Sequence, residues 1–348
     1  MLAFANQVSS FVQGVLESSW TLDIKLKDQE QREFVNVNYE NNELTCPVMG
    51  ESEEVAGNLL ISVKEGRYLD HEGISLELIG RSEIIENPEF DYIEKDQFLF
   101  LSRDVAPLGR LEPGEHKFDF NFGAVQKPYD SYYGHFGYIR YFLRIVIRRG
   151  FRGDIMHEQD FAVQLLSDKI PTDDNNPPIK MDVGVQDCIH ISFMYAHSHY
   201  ALDSILTGCI QFQIVRLNII AMETILIKVE TVEPRDRYSP RLVFSEPVSK
   251  MEIMDGTPGR GESVPVRWPL AGVGIGPTLK HPKVNVKYQI RLSLIDERGR
   301  QFFKQCEIVF HRKKITGDNP PWNTEEGVEK NWADFNARQD KNAKSGIW

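Results

Sequence analysis

From Thr21 onward apolar and polar residues alternate one by one, the pattern of a strand that buries one face and wets the other. Val284, Val286, Tyr288, Ile290, Leu292 and Leu294 are separated by Asn285, Lys287, Gln289, Arg291 and Ser293. Ile139, Tyr141, Leu143, Ile145 and Ile147 repeat the pattern, with Arg140, Arg144 and Arg148 expected on an opposite face. Shorter runs occur at Leu22-Ile24-Leu26, Ile74-Leu76-Leu78, Phe118-Phe120-Phe122, Ile189-Ile191-Phe193 and Ile210-Phe212-Ile214. Turn residues such as Pro113-Gly114, Asp255-Gly256 and Gly299 punctuate them. Many short strands between turns predict antiparallel sandwiches.

An internal repeat divides the chain. Val55-Ala-Gly57-Asn-Leu59 matches Leu206-Thr-Gly208-Cys-Ile210, and Ile139-Arg-Tyr141-Phe-Leu143-Arg-Ile145 matches Val286-Lys-Tyr288-Gln-Ile290-Arg-Leu292, at nearly equal separations. Two copies of one β-unit explain this order. The fold expected is all-β, two tandem antiparallel β-sandwich domains. A Pro- and Asn-rich stretch between them cannot continue a central strand. The boundaries read as an N-terminal extension at 1–20, sandwiches at 21–166 and 180–312, a linker at 167–179 and a tail at 313–348. In the extension, Phe4, Val8, Phe11 and Val15 recur at roughly helical spacing, expected as a mobile or domain-packed segment rather than a membrane-inserting helix.

With 348 residues, 41% hydrophobic and 26% charged, the chain has ample material for a core. Its net charge of -11 opposes attraction to nucleic acid or anionic lipid, so nucleic acid is not an expected partner. Cys46, Cys188, Cys209 and Cys306 make no C-x-x-C pair, which fits a reducing, cytoplasmic setting. Neither a signal peptide nor an apolar run of ~18–20 residues is legible.

Catalytic chemistry is missing from the motifs. There is no G-x-S-x-G elbow, Walker loop or H-E-x-x-H. His197 and His199 lack a third metal ligand at a defined spacing and read as a strand end. Gly272-Val-Gly274-Ile-Gly276-Pro277 reads as a loop, because no helix follows to cradle phosphate. Asp173-Asp-Asn-Asn176 lacks the Gly and bidentate Glu of a calcium loop. No enzyme activity, cofactor or metal is expected.

Several longer motifs carry a family resemblance. They are Leu69-Asp-His71-Glu-Gly73-Ile-Ser-Leu-Glu-Leu-Ile-Gly80, Leu111-Glu-Pro-Gly-Glu115 and Lys127-Pro-Tyr129-Asp-Ser-Tyr132 in the first half. In the second they are Ile179-Lys-Met-Asp-Val183-Gly-Val-Gln-Asp187-Cys, Met251-Glu-Ile253-Met254-Asp-Gly256, Gly261-Glu-Ser-Val-Pro265 and Phe302-Phe303-Lys-Gln305. In this order they resemble the vacuolar protein sorting protein 26 family, the arrestin-like small subunit of retromer. The match covers about residues 21–312 and leaves both ends unexplained.

The resemblance implies an arrestin-like fold and a non-enzymatic scaffold and cargo adaptor on the cytosolic face of endosomes. Its implied partners are the solenoid subunit, vacuolar protein sorting protein 35, and through it protein 29, then sorting nexins and transmembrane cargo tails. Ile253, Met254, Asp255 and Gly256 match the loop that grips the solenoid subunit. Read from the residues alone, Ile253 and Met254 are an apolar pair beside a Gly- and Pro-dense turn, and each forgoes ~1.5–3 kcal/mol if left in water. Met181, Val183 and Val185 match the strand to which a cargo peptide of the form aromatic-x-Leu or aromatic-x-Met adds, beside a sorting nexin. Val183 and Phe303 match the pocket for its Leu or Met. Membrane contact is expected to be indirect, because no polybasic run is present. The rival adaptor class, an α-arrestin recruiting ubiquitin ligases, needs Pro-Pro-x-Tyr, and Asn319-Pro-Pro-Trp-Asn323 fails at its last position.

Overall fold

A computed structural model describes residues 19–313 except 41, 88–91, 168–175, 186–187 and 235–239. The first 18 residues with their apolar stripe, the tail from 314 with its Asn319–Asn323 motif, most of the linker and most of the Asp173–Asn176 fragment lie outside the described residues. The chain divides into two compact units, Met1–Leu165 with Pro234–Ser239, and Leu166–Glu233 with Pro240–Trp348.

The first unit holds β1 (Trp20–Leu26), β2 (Phe34–Tyr39), β3 (Asn42–Gly50), β4 (Glu54–Val63), β5 (Leu69–His71), β6 (Gly73–Asn87), β7 (Tyr92–Ala106), β8 (Gly109–Leu111), β9 (Gly114–Ala124), β10 (Tyr132–Tyr133), β11 (Gly137–Arg148) and β12 (Ile155–Gln164). One sheet runs β1-β4-β9, the other β2-β3-β12-β11-β6-β7 with β10 on β11, and β5 pairs β8. Ile24, Leu59 and Ile61 from the first sheet and Leu76, Leu78, Tyr141 and Ile145 from the second are wholly buried. The Gln159 side chain bonds both the N–H and the carbonyl of Ile24, tying the layers together.

The second unit holds β13 (Ile179–Val185), β14 (Ile189–Tyr195), β15 (His199–Ala201), β16 (Ile205–Val215), β17 (Ile219–Val232), β18 (Leu242–Asp255), β19 (Ser263–Pro269), β20 (Leu279–Lys280), β21 (Val284–Asp296) and β22 (Gln301–His311). Its sheets run β13-β14-β16-β19 and β15-β22-β21-β17-β18, with β20 on β21.

The repeat read from the sequence is a repeat of topology. The order β3-β12-β11-β6-β7 in one unit matches β15-β22-β21-β17-β18 in the other, including a parallel pair at the same place, β3 with β12 and β15 with β22. The matched glycines answer one steric demand. A Cβ on Gly57 would sit 2.1 Å from the Lys25 carbonyl oxygen, and one on Gly208 would sit 2.5 Å from that of Met194. The matched tyrosines each hold a loop: Tyr141 Oη donates to the Tyr129 carbonyl at 3.0 Å, and Tyr288 Oη accepts from Gly276 N–H at 3.0 Å.

One sequence expectation is corrected here. The strand bearing Arg140 does not wet its second face, since β11 is buried on both sides and Arg140 is 2% exposed. Arg140 forms a bidentate pair with Asp160 at 2.9 Å and reaches Glu83 at 3.0 Å. Against the upward push of burial, Arg140 and Arg81 hold Glu83 below the usual carboxylate range. A charged residue enters the interior when its partners come with it.

Candidate docking edges of the second unit

β18 is the edge of its sheet, paired among the described residues with β17 alone. Its 14 residues include no fully buried side chain, and Pro247 lies within it, as an edge strand permits. Ile253, Met254 and Asp255 are the last three residues of this strand rather than part of a loop, and Gly256 opens the turn with φ +100°. The register explains why the sequence read otherwise. Met254 faces Met222 and Glu252 faces Glu223, so Ile253 is the extra residue of a β-bulge. A bulge breaks alternation and re-aims side chains, and Ile253 and Met254 are successively half-buried.

The turn beyond is pinned by its own bonds. Gly256 N–H donates to the Ile220 carbonyl at 3.1 Å, Thr257 Oγ1 to the Ile219 carbonyl at 3.0 Å, and Gly259 N–H to Glu262 at 2.7 Å. Ile220, 48% exposed, stands beside this turn and was not found from the sequence. Its signal was the doublet Ile219-Ile220, of which a strand can bury one member only, and Ile219 is the buried one. Lys250 pairs with Glu223 next to the bulge.

β13 is the edge of the other sheet, paired among the described residues with β14 alone. Met181 faces Phe193, Val183 faces Ile191 and Val185 faces Ile189. Val183 is 7% exposed and points into the sandwich, Met181 is half-buried, and the Val185 side chain is outside the described set. On the outward face Ser192 donates to Asp182, with His190 Nε2 3.8 Å from the same carboxylate.

Phe303 lies on β22, which packs against β13. Among the described residues β15 pairs with β22 only at Val309–His311, and Gln301–Ile308 has no partner strand on that side. Phe303 is 54% exposed on the face opposite the buried Ile308 and Phe310, with the Arg291 guanidinium 4.8 Å from its ring centre. Arg291 is fixed there by two hydrogen bonds to Gln305. The structure brings the elements carrying Val183 and Phe303 side by side but turns Val183 inward and Phe303 outward.

The remaining reactive groups have structural roles. Burial pushes the Cys46 thiol up to about 12 and the Cys306 thiol up to about 11, the reverse of nucleophile activation. His197 Nδ1 lies 3.4 Å from the Asn176 carbonyl, and the Asn176 amide bonds the backbone of Ser198 and His199. Among the described residues, no three His, Cys, Asp or Glu side chains are grouped to hold a metal ion, and no helix is long and apolar enough to cross a membrane.

The family model described as vacuolar protein sorting-associated protein 26 matches residues 16–299. A Plasmodium falciparum protein of that name is 38% identical over 303 residues, covering 86% of this chain and 98% of its own length. The Schizosaccharomyces pombe protein of that name is 35% identical over 84% of this chain and 95% of itself. Human vacuolar protein sorting-associated protein 26B is 39% identical over 76% of each chain.

Proposed function

The chain belongs to the vacuolar protein sorting-associated protein 26 family, and from that premise we propose that it works as a non-enzymatic docking subunit of retromer. Its coarse role is vacuolar and endosomal protein sorting. In the proposed mechanism β18 binds the solenoid subunit, and the β13 edge beside β22 receives cargo tails together with a sorting nexin. The observation that carries the reading is the bulged edge of β18, which holds Ile253 and Met254 half-buried beside exposed Ile220. Such a surface gains by covering: apolar side chains at the centre of an interface act as anchors, and an unpaired strand edge is vulnerable until a partner covers it. Asp255 and Gly256 set the strand end and the turn that a partner would meet.

At β13, backbone pairing with an extended peptide supplies affinity, and pockets along the edge supply selectivity. Met181, Val183 and Val185 recur at every second position of that strand, with Val183 facing the core, and Phe303 is an accessible apolar group on neighbouring β22. Partners supply most of the hold on the endosomal membrane, and the solenoid subunit links the chain to protein 29.

Ile253→Asp combined with Met254→Asp tests the first contact. The double variant is expected to lose co-purification with the solenoid subunit while its circular dichroism spectrum stays native. Retained binding with a native spectrum would remove β18 from the interface.

A further inference from the structure

One end of the first unit gathers several chain reversals. β1 begins there, with Trp20 opposite Val63 at the end of β4, and Lys64 N–H donates to the Ser19 carbonyl at 2.9 Å. β11 ends there, with Arg148 opposite Gly73 at the start of β6, and Ala106 closes β7 opposite Ile74. From this end project two apolar tips. Phe151, in the 3-10 turn Gly150–Arg152, has a relative exposure of 110%, and Leu108, between β7 and β8, is 75% exposed.

The Phe151 turn is preformed. Gly150 and Gly153 take φ +56° and +72°, Arg149 Nε donates to the Gly153 carbonyl at 2.9 Å, and the same guanidinium stacks 5.5 Å from the Trp20 ring centre. Arg148, Arg149 and Arg152 flank Phe151 with no acidic residue in 148–153, whereas the whole chain carries a net charge of -11. Asp70 and Asp154 are already engaged, and Glu72 and Glu112 also stand near this end. Asp70 lies 2.7 Å from Arg110 and 3.7 Å from Arg152, Asp154 accepts from Arg149 N–H at 3.2 Å, and Glu72 lies against Gly150. Lys64 and Arg67, offset by Glu65, occupy the adjoining β4–β5 turn.

We propose that this end of the first unit rests directly on an anionic lipid surface, with Phe151 and Leu108 entering the interfacial layer and the flanking arginines meeting lipid phosphates. Two apolar side chains on separate convex turns do not make the continuous packed patch that a protein partner needs, but a fluid interface accepts them one at a time. Arginine stems lie along such a boundary with their heads in the phosphate layer. A net acidic chain thus sets Arg148, Arg149 and Arg152 around the apolar tip of Phe151. The contact is weak and reversible by itself, and it adds to partner-mediated recruitment by raising effective concentration.

Flotation of the full-length protein with phosphatidylcholine vesicles, with and without phosphatidylserine, tests this. The protein is expected to float only with phosphatidylserine present and to be released by added salt. Phe151→Asp, Leu108→Asp, and Arg148→Glu with Arg152→Glu are each expected to lower the bound fraction about tenfold. All four side chains are at the surface, and co-purification with the solenoid subunit, which does not depend on this contact, is expected to be unchanged. Absence of wild-type flotation, equal flotation of all the variants, or a protein dimer that Phe151→Asp dissociates without lipid would overturn the assignment.

Discussion

Lys127 lies wholly inside the first unit, with its ammonium bonded to the carbonyls of Glu53 at 2.8 Å and Val125 at 2.9 Å. Burial is the main cause that brings its pKa from 10.5 down to about 8. Between these values the unfolded chain binds more protons than the folded one, so stability rises with pH through this window and falls as pH drops toward 8. Buried tyrosines act with the opposite sign at higher pH. Burial pushes the Tyr288 phenol up to about 12, so unfolded tyrosines ionise first and folding weakens above about pH 10. Lys127→Met removes the lysine limb alone. Urea unfolding at about pH 7.5 and again at about pH 9.5 is expected to show the wild type gaining at most about 2 kcal/mol relative to the variant. A constant difference between the two proteins would mean that the ammonium is as comfortable in the fold as in water.

At the scale of strands, the side of a sheet that a residue faces decides which substitutions are informative. Val183 is 7% exposed, so Val183→Asp would bury a charge and disrupt the β13–β14 sheet whether or not a peptide binds there. Phe303 is mostly outside, so Phe303→Asp is expected to leave stability within about 0.5 kcal/mol and to weaken cargo-peptide affinity at least about tenfold, by titration with the sorting nexin present. Unchanged affinity would move the pocket away from β22. The alternation along β21 was legible because both of its faces obey one rule, core on one side and polar neighbours on the other. The same rule misread Arg140, since the carboxylates that neutralise it lie on β6 and β12 and no local pattern announces them. Ile253 and Met254 were legible as an apolar anomaly, but not as a strand end. Glycines at 256, 259 and 261 mark a turn, and only the pairing with β17 shows that the bulge precedes it. Ile220 escaped because it sits at a register shift in the pairing of β17 with β21, between Ile219 and Ala221, which local alternation does not announce.

Across the whole molecule the duplicated topology makes a sharper demand than likeness of shape. Gly57 and Gly208 occupy matched strands, each against a neighbouring carbonyl that leaves no room for a methyl group. Each stands in a unit with its own interior, around Leu59 and Tyr141 in one and Ile210 and Tyr288 in the other. If each copy folds around its own core, damage at one glycine should register in one unfolding event and spare the other. Scanning calorimetry of the wild type is then expected to resolve two transitions. Gly57→Ala should lower one and Gly208→Ala the other, each by about 2–3 kcal/mol, since the neighbouring backbone has to shift to admit the new carbon. For a unit of about 150 residues that is roughly 6–10 °C. A single transition displaced equally by both substitutions would show that the two copies unfold as one cooperative body. The docking edges of the second copy would then share the stability of the first, and a lesion beside Phe151 would be felt at β18.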